Sequence, residues 1–151
     1  MIALVQRVRE ARVEVDARVV GAIGAGMLIL LGVHRDDTEK EADWLARKCA
    51  YLRIFPDEEG RMNRSLLDID GEALVVSQFT LYGDARKGHR PSFVEAAPPD
   101  KANQLYAYFT RELSKHLGKP VPTGVFGTMM DVYLVNHGPV TLWLERKPAT
   151  S

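Results

Sequence analysis

Three neutral hydrogen-bonding side chains crowd the end of an apolar run, where residues 74–80 read LVVSQFT. An unpaired polar group on a buried strand costs about 1–3 kcal/mol, so Ser77, Gln78 and Thr80 demand a reason. A strand that turns outward into solvent is one. The other is a site that needs uncharged donors and acceptors on rigid backbone. Such groups suit the oxyanion formed during acyl transfer, because they stabilise developing negative charge without carrying charge themselves. Thr80 is a nucleophile candidate by residue type, yet no base stands beside it in the sequence.

A second constellation is Asn136-His137-Gly138-Pro139, between two apolar runs. Glycine lets a ligand or another backbone approach closely, and proline fixes the turn while removing a donor. An ordinary hairpin tip is the plainer reading of the same residues. A third is the loop Ala85-Arg86-Lys87-Gly88-His89-Arg90-Pro91, basic and broken by glycine and proline.

More familiar machinery is missing. The histidines at 34, 89, 116 and 137 form no pair with ligand spacing, and one cysteine cannot build a zinc site, so neither metal nor cofactor is expected. No Gly-x-Ser-x-Gly elbow occurs, and Asp36-Asp37 falls in a turn where solvation is the better reading. Cys49 sits at core spacing and reads as a small buried hydrophobe.

The elements that must position these groups follow from periodicity. Ile2, Leu4, Val13, Val15 and Val19 alternate with polar residues, as half-buried strands do. The glycine-rich run 21–26 precedes the apolar run 27–33 rather than a helix, so it reads as a turn and not as a phosphate loop. Thr38 with Glu41 forms a capping box that opens a first helix. Residues 52–55 suggest a strand, residues 56–60 a turn and residues 68–71 a second turn. A second helix starts near Pro99, with Leu105, Tyr108, Phe109, Leu113, His116 and Leu117 on its apolar face, and Gly118 and Pro120 end it. Residues 131–135 and 140–144 read as two strands joined by the Gly-Pro tip. The expected fold is α+β, with a mainly antiparallel or mixed, barrel-like sheet and two helices, in one domain over residues 1–151.

Bulk properties narrow the partners. The 20 basic residues balance 20 acidic ones, so no global charge steers the chain toward nucleic acid or membrane, and a polyanion would have to meet a local patch. The charged, alternating opening segment is neither a signal peptide nor a membrane span. With one cysteine this points to a cytoplasmic protein, where the Asn63-Arg64-Ser65 sequon is without meaning.

SQFTLYGD followed by RKGHRPSF, and NHGPVTLW near the end, closely resemble the D-aminoacyl-tRNA deacylase family. The likeness extends to VQRV, GAIGAGMLILLGV, LRIFPDEEGRMNRSLLD and TGVFGTMMDVYLVNHGPVT, which together span nearly the whole chain. One departure is His137, where the family usually has aspartate; Gly83, often alanine there, is a minor one.

The resemblance implies hydrolysis of the ester between a D-amino acid and the terminal ribose of tRNA, and removal of glycine from mischarged tRNA. It implies a homodimer with the site at the subunit interface. There Ser77-Gln78-Phe79-Thr80 of one chain meets a cis Gly138-Pro139 of the other, whose carbonyls capture the α-amino group. Gln78 and Phe79 would contribute amides to the oxyanion, with Ser77 binding substrate. Thr80 is assigned to positioning, since assistance by the 2′-hydroxyl of tRNA accounts for the missing base. Arg7 would brace the Gly-Pro turn, although a solvated strand charge is the plainer reading. Arg86, Lys87 and Arg90 are the expected tRNA contacts. The rival readings are a threonine-nucleophile hydrolase of small esters and a non-catalytic module that binds tRNA ends.

Overall fold

The computed structural model describes residues 1–149. Its organising element is a long first strand, β1 (Ile2–Val15), which turns through Asp16 and Ala17, both at positive φ, into β2 (Arg18–Ile23). Positive φ at both turn residues matches the right-handed twist of a two-residue hairpin. The next strand, β3 (Gly26–Gly32), pairs with the first half of β1 in antiparallel register, while β2 pairs with its second half. The sheet therefore curls along a single strand.

Helix α1 (Glu39–Tyr51) opens on the expected capping box, in which Glu41 Oε1 accepts from the Thr38 amide at 2.7 Å. After it come the short strands β4 (Phe55–Pro56) and β5 (Met62–Arg64), then α2 (Leu66–Ile69) and β6 (Glu72–Ser77). The chain then runs through a 3₁₀ turn at Phe79–Tyr82, the long helix α3 (Pro99–Leu117) and the closing strand β7 (Asp131–Glu145). The sheet order is β2-β1-β3-β6, with β7 on β1, and β3–β6 is its parallel pair.

Two cores result from the period of two along β3 and β6. Met27, Ile29, Leu31, Ala73 and Val75 face α1 and α3, where Leu45, Cys49, Phe109 and Leu113 are fully buried. Leu28, Leu74 and Val76 face the other way, into the curl, against Val13, Ile23 and Met130. Burial on both faces explains why residues 27–31 are a continuous apolar run. Burial also pushes the Cys49 thiol up to about 12, which leaves it inert.

Several expectations are corrected. Among the described residues there are three α-helices rather than two. Residues 68–71 are not a simple turn: Ser65 and Asp68 form a second capping box that opens α2, and Asp70 ends it at φ 51°. The strand expected at 52–55 shrinks to β4, because Leu52 is the extended cap of α1. On α3 it is Tyr106 that is buried, whereas the Tyr108 hydroxyl reaches Asp43 at 2.6 Å. His116 is only half-buried, edge-on to Tyr51. Most consequentially, residues 131–145 are one strand, not a hairpin. Both halves pair with β1, and Gly138-Pro139 is a bulge within β7.

Candidate functional site

β6 ends at Ser77, which pairs with Leu31 of β3, so the strand delivers the polar run to a fixed place. The Gln78 amide donates to the Leu31 carbonyl at 2.8 Å and is thereby committed to the fold. The backbone then winds into the 3₁₀ turn, whose opening amides belong to Phe79 and Thr80. The first amides of a helical turn have no partner within it, which leaves these two as the donors able to meet a substrate oxygen. Of the two amides expected from the sequence, the Phe79 amide keeps that capacity. The Gln78 amide does not.

The side chain of Gln78 has a different task. Its Nε2 donates to Thr80 Oγ1 at 2.9 Å. An amide donor cannot remove a proton, and no histidine or carboxylate hydrogen-bonds Thr80 among the described residues. The hydroxyl is oriented, not activated.

These residues line a cleft of about 870 Å³. Much of the remaining lining is apolar, with Phe93, Phe126, Met129 and Met130. Phe79, 54 % exposed, meets Phe93 edge-to-face at 5.2 Å between ring centres. Met129 is 91 % exposed at the rim. These wall residues were not singled out in the sequence. The one available signal was Met129-Met130 behind Gly127, apolar side chains without a strand or helix period.

The basic loop is closed at its base by paired backbone bonds between Asp84 and Ser92, at 2.7 and 2.8 Å, which anchors it beside Phe93 and the cleft. Its three cations are not equivalent. The Arg86 guanidinium grips Asp84 in a two-pronged bond at 2.9 and 2.7 Å, whereas Lys87 and Arg90 are exposed and form no salt bridge among the described residues. Hydrogen bonds from the Arg86 side chain and amide hold the Asp84 carboxyl down to about 2. The folded value lies below the unfolded one, so the ion pair is complete above about pH 4 and is lost as pH falls through about 2. In an NMR titration Asp84 should follow that course, and Arg86→Gln should return it toward the ordinary carboxylate range near 3.9.

Gly138 and Pro139 do not line this cleft. The bond between them is cis, and the turn is exposed on the edge strand. Two side chains hold it. Arg7 Nε donates to the His137 carbonyl at 2.8 Å while its Nη1 donates to the Ile54 carbonyl at 2.7 Å. Asn136 replaces the missing ladder: its Oδ1 accepts from the Val140 amide at 2.8 Å, and its Nδ2 donates to Thr141 Oγ1 at 2.9 Å. Because Arg7 grips a main-chain oxygen, the contact does not depend on which side chain stands at 137. That accounts for the accommodation of histidine there.

The family model for D-Tyr-tRNA(Tyr) deacylase matches residues 4–145. This chain belongs to that family. A D-aminoacyl-tRNA deacylase of Salinibacter ruber is 66 % identical over 147 residues, covering 97 % of this chain and 98 % of that one. One from Thermomicrobium roseum is 61 % identical over 145 residues, covering 96 % and 94 %. Among solved structures, the c-Myc DNA unwinding element binding protein superposes with a TM-score of 0.92 at 42 % identity, covering 99 % of this chain and 100 % of that one. A probable eukaryotic D-amino acid tRNA deacylase shares the fold, at a TM-score of 0.79 and 20 % identity, over 95 % and 97 % of the two chains. Among the described residues, no three metal-ligating side chains converge, and no helix is long and apolar enough to cross a membrane.

Proposed function

We propose that this chain hydrolyses the ester joining a D-amino acid to the terminal ribose of tRNA, releasing the free amino acid and tRNA. One observation carries the reading: the polar run in the cleft is uncharged and without a base, and its one ordered hydroxyl is held by an amide. Such a site stabilises an oxyanion and does not itself generate a nucleophile. The amides of Phe79 and Thr80 meet the carbonyl oxygen as it gains charge, where each donor is worth about 10²–10³ in rate. Proton transfer falls to the 2′-hydroxyl of the substrate ribose and to water, and Ser77 lines the substrate.

The cleft of one copy is completed by Gly138-Pro139 of another in a homodimer. The support is that this turn is exposed, doubly clamped and absent from its own cleft. Backbone carbonyls there take the ammonium group shared by all amino acids, and the rigid turn leaves no space for an L side chain. Glycine has nothing to exclude, so glycyl-tRNA mischarged on the alanine tRNA is a second substrate. Selectivity of this kind rests on a clash with the wrong ligand more than on contacts with the right one. Lys87 and Arg90, with Arg86 stiffening their loop, contact the acceptor end.

The test is hydrolysis of matched D- and L-tyrosyl-tRNA by the purified protein. Release of the D-amino acid alone is expected. Equal release of both would leave an esterase and remove the exclusion argument, and tRNA binding without release of either would mark a non-catalytic module. Thr80→Ala separates the remaining rival. Turnover should stay within about tenfold, because no base-assisted step worth 10²–10⁴ is lost. Abolition of turnover, or a trapped acyl-threonine in the wild type, would instead make Thr80 the nucleophile.

A further inference from the structure

The outer face of α1 carries chemistry that the cleft does not use. Trp44, Arg47, Lys48 and Tyr51 stand at i, i+3, i+4 and i+7, one stripe along the helix, and all four are exposed while Leu45, Ala46, Cys49 and Ala50 face the core. With Leu52 and Arg53 they bound a groove of about 430 Å³, separate from the cleft. The Arg47 guanidinium lies 5.1 Å from the Tyr51 ring centre, and Lys48 Nζ and the Arg146 guanidinium each lie 5.2 Å from that of Trp44. None of these cations is in a salt bridge among the described residues, and Arg53 donates to the neutral side-chain Oδ1 of Asn63. The adjacent carboxylate, Asp43, already accepts from Tyr108. Three cations against two exposed rings, with Arg53 lining the same groove, make a local excess in a chain of zero net charge.

Position adds a second argument. Arg53 at the end of the groove precedes Ile54, whose carbonyl accepts from Arg7, and the same guanidinium holds the His137 carbonyl beside Gly138-Pro139. The groove and the turn are thus fastened to one side chain.

We infer that this groove binds the sugar–phosphate backbone of tRNA, as a contact additional to the acceptor-end site, an inference that rests on the deacylase reading above. Arginine and lysine neutralise phosphates, and exposed indole and phenol rings stack with bases or riboses regardless of sequence. Trp44 and Tyr51 are separated by about 10 Å along the helix at 1.5 Å per residue, so the contact covers a short stretch of strand. The copy that lends its Gly-Pro turn to a neighbour's cleft lends this groove to the same RNA.

The test measures uncharged tRNA binding by fluorescence anisotropy between 50 and 200 mM salt, comparing wild type with Arg47→Gln/Lys48→Gln. The variant should bind about tenfold more weakly at the low-salt end, with a log–log salt slope shallower by about 1.4–1.8 for two lost phosphate contacts. Trp44→Ala should weaken binding without changing the slope, since stacking releases no counterion. On D-tyrosyl-tRNA the double variant should raise KM with kcat unchanged, and its hydrolysis of D-tyrosyl-adenosine should equal that of wild type. Unchanged affinity and slope would overturn the inference, as would an equal loss on D-tyrosyl-adenosine. So would weakened binding of polyglutamate with tRNA binding intact, which would give the groove to an acidic protein. If wild type hydrolyses nothing but loses tRNA affinity with these substitutions, the catalytic reading falls and the groove stands.

Discussion

Gly138→Val is expected to lower kcat/KM on D-aminoacyl-tRNA by about 10²-fold or more, the scale set by misplacing a positioning group by 1 Å. The reason lies in the backbone around the turn. Gly138 has a φ of +145°, a conformation that residues with a side chain rarely adopt. A Cβ built there stands 2.8 Å from Val140 Cγ2, 3.0 Å from the Val140 amide nitrogen and 3.1 Å from Arg7 Nη2. These belong to the clamps on the turn, because the Val140 amide donates to Asn136 and Arg7 donates to the His137 carbonyl. A side chain at 138 therefore pushes both anchors and moves the carbonyls proposed to take the substrate ammonium. Gly138 and Pro139 are exposed, but Val140, which the new side chain would press, belongs to the larger core, so the local backbone cost of about 1–3 kcal/mol is joined by an overpacking cost of about 1–3 kcal/mol. Steady-state kinetics beside a thermal melt would check this. Full activity in a folded variant would remove the turn from the site.

Gly26→Ala is the second, and here stability should fall, by about 3–5 kcal/mol, at the upper end of single-site effects. Gly26 pairs with Glu72 at the start of the parallel β3–β6 ladder. A Cβ there would lie 1.8 Å from the Glu72 carbonyl oxygen and 2.7 Å from its carbon, main-chain atoms that no rotamer change can withdraw. The clash could be relieved only by separating the strands, and β6 is the strand that carries Ser77 to the cleft. The melting temperature should drop by about 10 °C for a chain of this size, with hydrolysis impaired even at temperatures where the variant is folded. Gly24→Ala is the control. Its Cβ would meet only the far end of the Glu72 side chain, at 3.4 Å, and should be close to neutral. Equal melting of the two variants would show that the strands part at little cost.

The same glycine run shows how far local reading reaches. Its role as a turn before a buried strand was legible, since the apolar run that follows cannot serve as the helix of a phosphate loop. That one glycine also permits a main-chain approach to a residue 46 positions away was not, because Glu72 is set there by parallel pairing. The two capping boxes make a related point. Thr38/Glu41 is legible from its spacing, and Ser65/Asp68 carries an equivalent Ser-x-x-Asp signal, masked by the turn residues Asp70-Gly71 that follow it. Helix α2 was therefore within reach of the sequence. The continuity of β7 was not: glycine and proline punctuate a chain locally, and only β1, extending past both sides of the bulge, joins the two halves into one strand.

By itself the sequence determined the period of the long strands, the ends of the long helices, the uncharged character of the run at residues 77–80, and the family. These depend on side-chain chemistry and near neighbours. The tertiary structure decided which donors are free. It committed the Gln78 amide to Leu31, tied the Gln78 side chain to Thr80 and bound Arg86 to Asp84. It also set Gly138-Pro139 outside its own cleft, under the hold of Arg7 and Asn136. A backbone N–H has one proton to donate, and a side-chain group few, so the partner that takes it is chosen by packing across the chain.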